Sequence, residues 1–275
     1  MNTMAKGACA ARQVSVLSRI RRQVRKISSF GTFVASVILG IIAWQLISLP
    51  YDTYFFPSPL ETWSSFKELT EEGVLLDSIS ASAMRIIVGW TLGLVVGVPV
   101  GLVMGRFELV RRLLDPYIEF FRFVPPISFV TLAIIWFGAG EASKVVLIFY
   151  TSVFIFTIST IAGVVGVNPL QIRAAQALGA GRIRTLLTVI VPATVPAIVT
   201  GGRLAMGNSF LTIVSAEIIA AQHGLGALIW KSRNYAQTEW VFVGIICLGI
   251  MGFLFDRVLR LIANHGLRRY IKTTN

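Results

Sequence analysis

The sequence predicts an all-α integral membrane protein with six transmembrane helices and both termini in the cytoplasm. Three observations carry that prediction. Of 275 residues, 55% are hydrophobic and only 14% charged, where soluble chains run to about a quarter charged; the mean hydropathy is +0.75. Apolar runs fall at 31–49, 79–105, 122–138, 143–167, 189–220 and 240–262, most of them close to or above the roughly 20 residues that cross a bilayer. The basic residues are unevenly placed. Counting the residues at span ends with their neighbouring gaps, the leader, the 106–115 gap, the 168–188 gap and the C-terminal end from Arg257 onward hold 18 of the 25. The alternate side holds four (Lys67, Lys144, Lys231 and Arg233), which puts the basic side in the cytoplasm.

Topology therefore accounts for the net charge of +12. The charges form no basic stripe on a polar domain, which argues against nucleic-acid binding. Cys9 and Cys247 are too few and too far apart for a disulfide framework. Residues 1–30 read as a basic cytoplasmic leader and 31–275 as the transmembrane domain. The run at 31–49 is longer than a signal-peptide core and no small-residue cleavage site follows it, so it reads as a retained first span.

The external segment 50–78 is acidic. Within it Ser58, Pro59 and Glu61 have the spacing of a capped helix, with Ser58 as N-cap and Glu61 as its N3 partner. A helix on the outer membrane surface and a solvated linker both fit. Span two carries Gly89, Gly93, Gly97, Gly101 and Gly105, one every fourth residue, which keeps them near one face. Such a ridge lets another backbone approach closely; direct contact with a substrate is the alternative. Pro99 predicts a kink in the same helix.

Span three opens on RFVPPIS. Pro125 and Pro126 remove two backbone donors and push the preceding residues out of helix. Irregular backbone inside a membrane is tolerated where protein or a watery cavity covers it, so the pair marks either a hinge lining a cavity or a simple entry kink. Span five is the most polar, with Arg203, Asn208, Ser209, Thr212, Ser215 and Glu217. Asn208, Thr212 and Ser215 share one helix face, which lines a path or bonds to neighbouring helices. Glu217 points elsewhere and has Arg203, Arg122 and Arg85 as candidate partners; together Arg85, Arg203 and Glu217 are the intramembrane charges, and Glu217 is the one carboxylate read as lying clearly inside a span.

Between spans four and five stands NPLQIRAAQALGAG, 168–181. Asn168 suits an N-cap and Pro169 the first helical position. Gly179 suits the left-handed residue that ends a helix. Residues 169–178 thus predict a short cytoplasmic helix, thin at Ala174, Ala175 and Ala177: a docking element, or a connector lying on the membrane.

This segment resembles the cytoplasmic-loop signature of ABC importer permeases. The match runs through Ala174, Ala175 and Gly179 to Val189, Ile190, Val191 and Pro192, with Arg173 where the family usually has Glu and Val191 where it usually has Leu. The stretches SASAMRIIVGWTLGLVVGVPVGLVMGR, LLDPYIEFFRFVPPISFVTLAIIWFGAGEASKV and SAEIIAAQHGLGALI extend it over most of 80–262, and resemble the nitrate/sulfonate/taurine/bicarbonate permeases. The resemblance implies the type I importer fold and a chain working as one of two copies. It implies two cytoplasmic ATPase subunits holding ATP and magnesium, and an external solute-binding protein. Arg173, Ala174, Ala175, Ala177 and Gly179 then lie on the helix that couples to the ATPase; Pro125, Pro126, Asn208, Ser209, Thr212 and Ser215 are the candidate path residues.

The chain itself has no phosphate-binding GxxxxGK[ST] loop, metal-ligand cluster, nucleophile–base arrangement or paired carboxylates, so no catalytic, cofactor or metal site is expected in it. Two other readings remain compatible with composition. An ion-gradient-driven transporter or channel requires intramembrane carboxylates arranged as ion sites; a membrane scaffold requires no transport at all.

Overall fold

The computed structural model describes residues 31–266; the leader assigned to 1–30 lies outside them. The regular elements among the described residues are all helical. The chain divides into two compact units, Met1–Thr62 and Trp63–Asn275.

In the first unit, α1 (Gly31–Ser48) is long and apolar enough to cross a membrane. Its apolar side chains, Leu39 and Leu46 among them, are exposed along the helix. The capping box that starts α2 (Pro59–Glu71) forms as its spacing predicts: the Glu61 amide donates to Ser58 Oγ (3.3 Å), and the Ser58 amide and hydroxyl donate to Glu61 Oε2 at 2.7 and 2.8 Å. A hydrogen bond from Thr53, followed by those from Ser58, holds the Glu61 carboxyl below its usual range.

The second unit contains the last turns of α2, then α3 (Val74–Arg106), α4 (Glu108–Phe121), a 3-10 turn (Pro126–Phe129) and α5 (Val130–Phe137). There follow α6 (Glu141–Val165), α7 (Pro169–Ala177), α8 (Arg182–Thr185), a π-helical turn (Leu186–Ile190), α9 (Val191–Ala220), α10 (Leu225–Asn234) and α11 (Thr238–Gly266). The helix expected at this segment forms, and over its second half one face of α2 packs inward. Leu69 is fully buried in a cluster with Leu75, Ile86, Ile148, Ile213 and Leu225. Ser65 is buried one turn before Leu69, and Phe66 packs against the same cluster, so residues three and four apart supply that face.

Among the described residues five helices, with α8, the π turn and α9 counted as one, meet the length and hydropathy of a span. The third crossing, expected at 122–138 with a proline break near its start, begins earlier in the chain. It is a bent pair, 108–121 and 126–137, turning by 90°. Hydropathy conceals α4 because the helix is amphipathic, with Arg111–Asp115 (3.2 Å) and Arg112–Glu108 (3.0 Å) paired one turn apart. The break falls at Pro125, whose ψ of 137° is extended, the conformation favoured before another proline.

α6 packs along both α3 and α9. The glycine ridge of α3 faces α6 throughout its length. Added Cβ atoms at Gly89, Gly97, Gly101 and Gly105 would come within 2.6–2.8 Å of Ile148, Val153 or Phe156, Thr157 or Thr160, and Val164, and one at Gly93 would strike Ser152. Real Cβ contacts do not reach such distances, so the ridge is a packing surface, and the Thr157 hydroxyl donates across it to Gly97 O (3.2 Å).

Replacing Gly97 by Leu is expected to destabilise the fold by about 1–3 kcal/mol or more through overpacking. Thermal unfolding of the detergent-solubilised protein measures this, with Gly249→Leu as the comparison, since nothing lies within 4 Å of a Cβ there.

Candidate functional site

Three groups of residues stand out, each at a different level of the bundle. The start of α3, the start of α6, the end of α9 and the start of α10 meet around Arg85. Its guanidinium donates to both oxygens of Glu141 (Nε 2.5 Å, Nη2 2.7 Å), to Glu217 Oε1 (2.5 Å) and to the His223 carbonyl (2.7 Å). Lys144 Nζ lies 3.3 Å from Glu141. Glu217 is fully buried and Arg85 nearly so, whereas the Glu141 side chain is 65% exposed.

Glu217 also organises backbone. The Gly226 amide donates to its Oε2 (2.8 Å), the Ser82 hydroxyl donates to both its oxygens, and the Leu225 amide donates to Ser82 Oγ (2.9 Å). Two of the amides that no helical carbonyl serves at the start of α10 are thus capped by side chains of α3 and α9. Gly224, at φ +133°, lies where any Cβ would enter the Glu217 carboxylate. Of the three arginines expected as partners for Glu217, Arg85 is the one the fold delivers. Arg203 instead pairs with Asp256 on α11 (2.8 Å), which Arg260 also holds at 2.8 Å. Asp256 thus corrects the expectation that Glu217 alone among carboxylates lies within a span.

Halfway along α6 the packing opens. Tyr150 is the tenth of 25 residues in that helix, about 14 Å from its start. Its hydroxyl donates to the Phe121 carbonyl (2.5 Å), which also accepts from the Val124 amide (3.1 Å), and lies 3.3 Å from the Val124 carbonyl. It thus serves the carbonyls at the proline break, where regular helical bonding stops. Beside it is a cavity of about 630 Å³ whose wall includes Pro125, Pro126, Asn208, Thr212 and Ser215. Those five sequence-predicted residues come together. Ser209 does not join them: it is fully buried, bonded to Ser152 Oγ (3.1 Å) and to the Ala205 carbonyl (2.8 Å), and ties α9 to α6. Thr212 bonds Thr151 Oγ1 (3.0 Å) at the cavity wall, and Asn208 Nδ2 donates to the Leu204 carbonyl (3.0 Å).

Sequence reasoning did not select Arg122, Tyr150 or Thr151, which also line the cavity. The signal for Arg122 was its place beside the double proline; the two hydroxyls sit in an otherwise apolar helix and are marked out by contact with α9 and the break.

At the opposite end of α6 from Glu141 lies α7. Asn168 caps it, its side chain accepting from the Leu170 amide (2.9 Å), Pro169 opens it, and Gly179 follows at φ +83°. Leu170, Leu178 and Ile183 are 73%, 89% and 74% exposed, and Arg173, Ala174 and Ala177 are exposed between them. On its inner side Ile172 packs against Val164, Val167 and Ile190, at the ends of α6 and the π turn. Among the described residues no group of three or more His, Cys, Asp or Glu can hold a metal ion.

The helical bundle, the cavity beside the proline break and the capped helix between two spans are the features of a multi-pass membrane transport subunit. The model of the family "binding-protein-dependent transport system inner membrane component" matches residues 93–265, and the chain belongs to that family of the inner membrane. It is 36% identical over 238 residues to the taurine transport system permease protein TauC of Escherichia coli, covering 84% of this chain and 86% of that one. It is 30% identical over 236 residues to the nitrate import permease protein NrtB of Leptolyngbya laminosa, covering 83% and 84%. Its fold is that of the inward-facing MetNI methionine ABC transporter, with a TM-score of 0.59 at 16% identity, covering 70% of this chain and 98% of that one.

Removing Glu217 with alanine is expected to cost about 3–5 kcal/mol, because Arg85 stays buried. Glu141→Ala is expected to cost less than half as much, since that carboxylate is largely solvated and Arg85 keeps Glu217. Chemical unfolding of the two variants in detergent checks the order.

Proposed function

We propose that this chain is the membrane-crossing subunit of an ATP-driven importer of small anions. Two copies flank the path, two cytoplasmic ATPases bind ATP and magnesium, and an external solute-binding protein delivers the substrate. The single observation that carries the reading is the pairing of a cavity beside the middle turns of α6 with a capped, exposed helix at the end of the same span. Residues 1–30 act as a basic cytoplasmic leader and 31–275 as the transmembrane domain.

Arg173, Ala174, Ala175, Ala177 and Gly179 form the ATPase-facing part of this machine. Exposed Leu170 and Leu178 supply apolar surface for a groove on the ATPase, and the alanines keep the helix thin enough to enter it. Ile172 supplies the connection inward: it packs on the ends of α6 and the π turn, so displacement of α7 moves both. A π-helical turn inside a helix is a frequent hinge, and here it lies between α7 and the cavity-lining part of α9. Pro125, Pro126, Asn208, Thr212 and Ser215 line this chain's share of the path, with Ser209 holding α9 in register behind them. The relatives named for taurine and nitrate support a small oxyanion as cargo.

Gly179→Leu tests the coupling role. Nothing lies within 4 Å of a Cβ at that position, so the change strains the backbone by about 1–2 kcal/mol without touching the core. ATP-dependent uptake by the reconstituted complex is expected to fail while the permease still inserts, and Gly179→Asn, which tolerates the left-handed conformation, is expected to retain it. Normal uptake with leucine would overturn the coupling role.

The double variant Asn208→Ala with Ser215→Ala tests the path. Altered uptake or altered selectivity is expected in the same reconstitution; unchanged values for both exclude that face from the path.

A further inference from the structure

Of the three arginines that the sequence places at or inside spans, apart from the basic segments, two are neutralised by carboxylates: Arg85 by Glu141 and Glu217, Arg203 by Asp256. Arg122 is not. Among the described residues no carboxylate pairs with it, and its guanidinium lies 4.5 Å from the centre of the Phe123 ring. A guanidinium held inside a bilayer without a counter-charge is costly and is found facing water or a ligand. Arg122 sits at the proline break, at the depth of Tyr150, and lines the 630 Å³ cavity.

The rest of that cavity wall is neutral. Asn208, Thr151, Thr212, Ser215 and Tyr150 bring hydroxyls and an amide, and no acidic residue contributes to it. Phe123, Phe154, Ile155, Ile158 and Leu211 make much of the remaining wall apolar, so one fixed positive charge beside a few hydroxyls matches a small solute with a single negative group. The planar guanidinium presents paired donors that fit two oxygens of an oxyanion. A second cavity, of about 300 Å³, continues along the later turns of α6 at Ile158, Ile161 and Val165 and shares Arg122 with the first. Its wall adds Arg111 with the carboxylates Asp115 and Glu119, so a lone cation facing neutral groups gives way to mixed charge toward the α7 end.

We infer that Arg122 is the anion-recognising residue of this membrane subunit, holding the negative group of a small oxyanion at half depth while Asn208, Thr212 and Ser215 face the remainder of the solute. This rests on reading the cavity as part of the path. It deepens that reading by placing selection for negative charge in the membrane subunit itself, in addition to any made by a solute-binding protein.

The test needs no knowledge of the natural cargo. Ser215→Cys is introduced into the full chain with Cys9→Ser and Cys247→Ser, and reconstituted in proteoliposomes. Two thiol reagents are compared, methanethiosulfonates carrying an ethylsulfonate or an ethyltrimethylammonium group, each normalised to its rate with a free thiol in solution. The normalised rate is expected to favour the sulfonate by about tenfold, the scale on which a charged cleft concentrates counter-ions. Arg122→Gln is expected to abolish the preference and Arg122→Lys to keep most of it. With Arg122 intact, nitrate in place of gluconate at fixed ionic strength is expected to slow the reaction, a readout that does not depend on how a variant folds. Equal normalised rates, a preference that survives Arg122→Gln, or no effect of nitrate would overturn the role of Arg122 and leave the path standing. If neither reagent reaches the introduced thiol, the path reading itself fails.

Discussion

The ion pair between Arg85 and Glu217 is the contact on which the arrangement of four helices depends. Each charge costs several kcal/mol to withdraw from water, and here the cost is offset by using every acceptor. Glu217 takes donors from Arg85, Ser82 and Gly226, and Arg85 reaches Glu141 and His223 as well. Because these partners belong to α3, α6, α9 and the α9–α10 turn, none can be satisfied unless all four segments are in register. A buried network of this kind specifies one arrangement by making the alternatives leave a charge unpaired. Gly224 shows how tight the solution is, since the carboxylate occupies the space its side chain would need.

Away from that cluster, polar contacts give way to close backbone packing. In lipid there is little hydrophobic drive to bring apolar helices together, so contact area and short approach distances have to do it. The glycine ridge of α3 meets Ile148, Ser152, Phe156, Thr160 and Val164 of α6, a repeat of four on each helix. Gly163 and Gly201 continue the same device between α6 and α9, against Thr194 and Ser159. α6 is thereby gripped on two sides, and a displacement applied at its cytoplasmic end has little slack in which to dissipate. Ile172, Val167 and Ile190 sit at that end. The cavity lies on the remaining side of α6, where the proline break replaces a packed helix with irregular backbone and Tyr150 satisfies the exposed carbonyls.

How much of this was legible in the sequence varies with the range of the interaction responsible. Asn168, Pro169 and Gly179 predicted α7 with its caps, and Ser58 with Glu61 predicted the start of α2, because capping is settled within four residues. The glycines at every fourth position announced a packing face for the same reason. The proline break of the third crossing was legible, but α4 before it was missed because average hydropathy discards periodicity. α4 carries its charges on one face and Leu109, Leu113, Tyr117 and Phe120 on the other, and an average over both faces looks like a loop. Ser209 was grouped with Asn208, Thr212 and Ser215 on composition, yet one residue turns a side chain by about 100°, and that rotation moves Ser209 from the cavity to the α6 contact.

The sequence by itself determined the membrane class, the side on which the basic segments lie, the capped helix between two spans and the surface by which α3 packs. Each follows from residue type, charge or spacing along one stretch of chain. Only the tertiary structure decided that Glu217 pairs with Arg85 while Arg203 takes Asp256, that Leu69 is core, and that Arg122 faces a cavity beside Thr212 and Ser215. Those outcomes join residues from 53 to 132 positions apart in the ion pairs alone, and no local pattern can rank such partners. What ranks them is the cost of burying a charge or a carbonyl unpaired, which has no value until the helices meet.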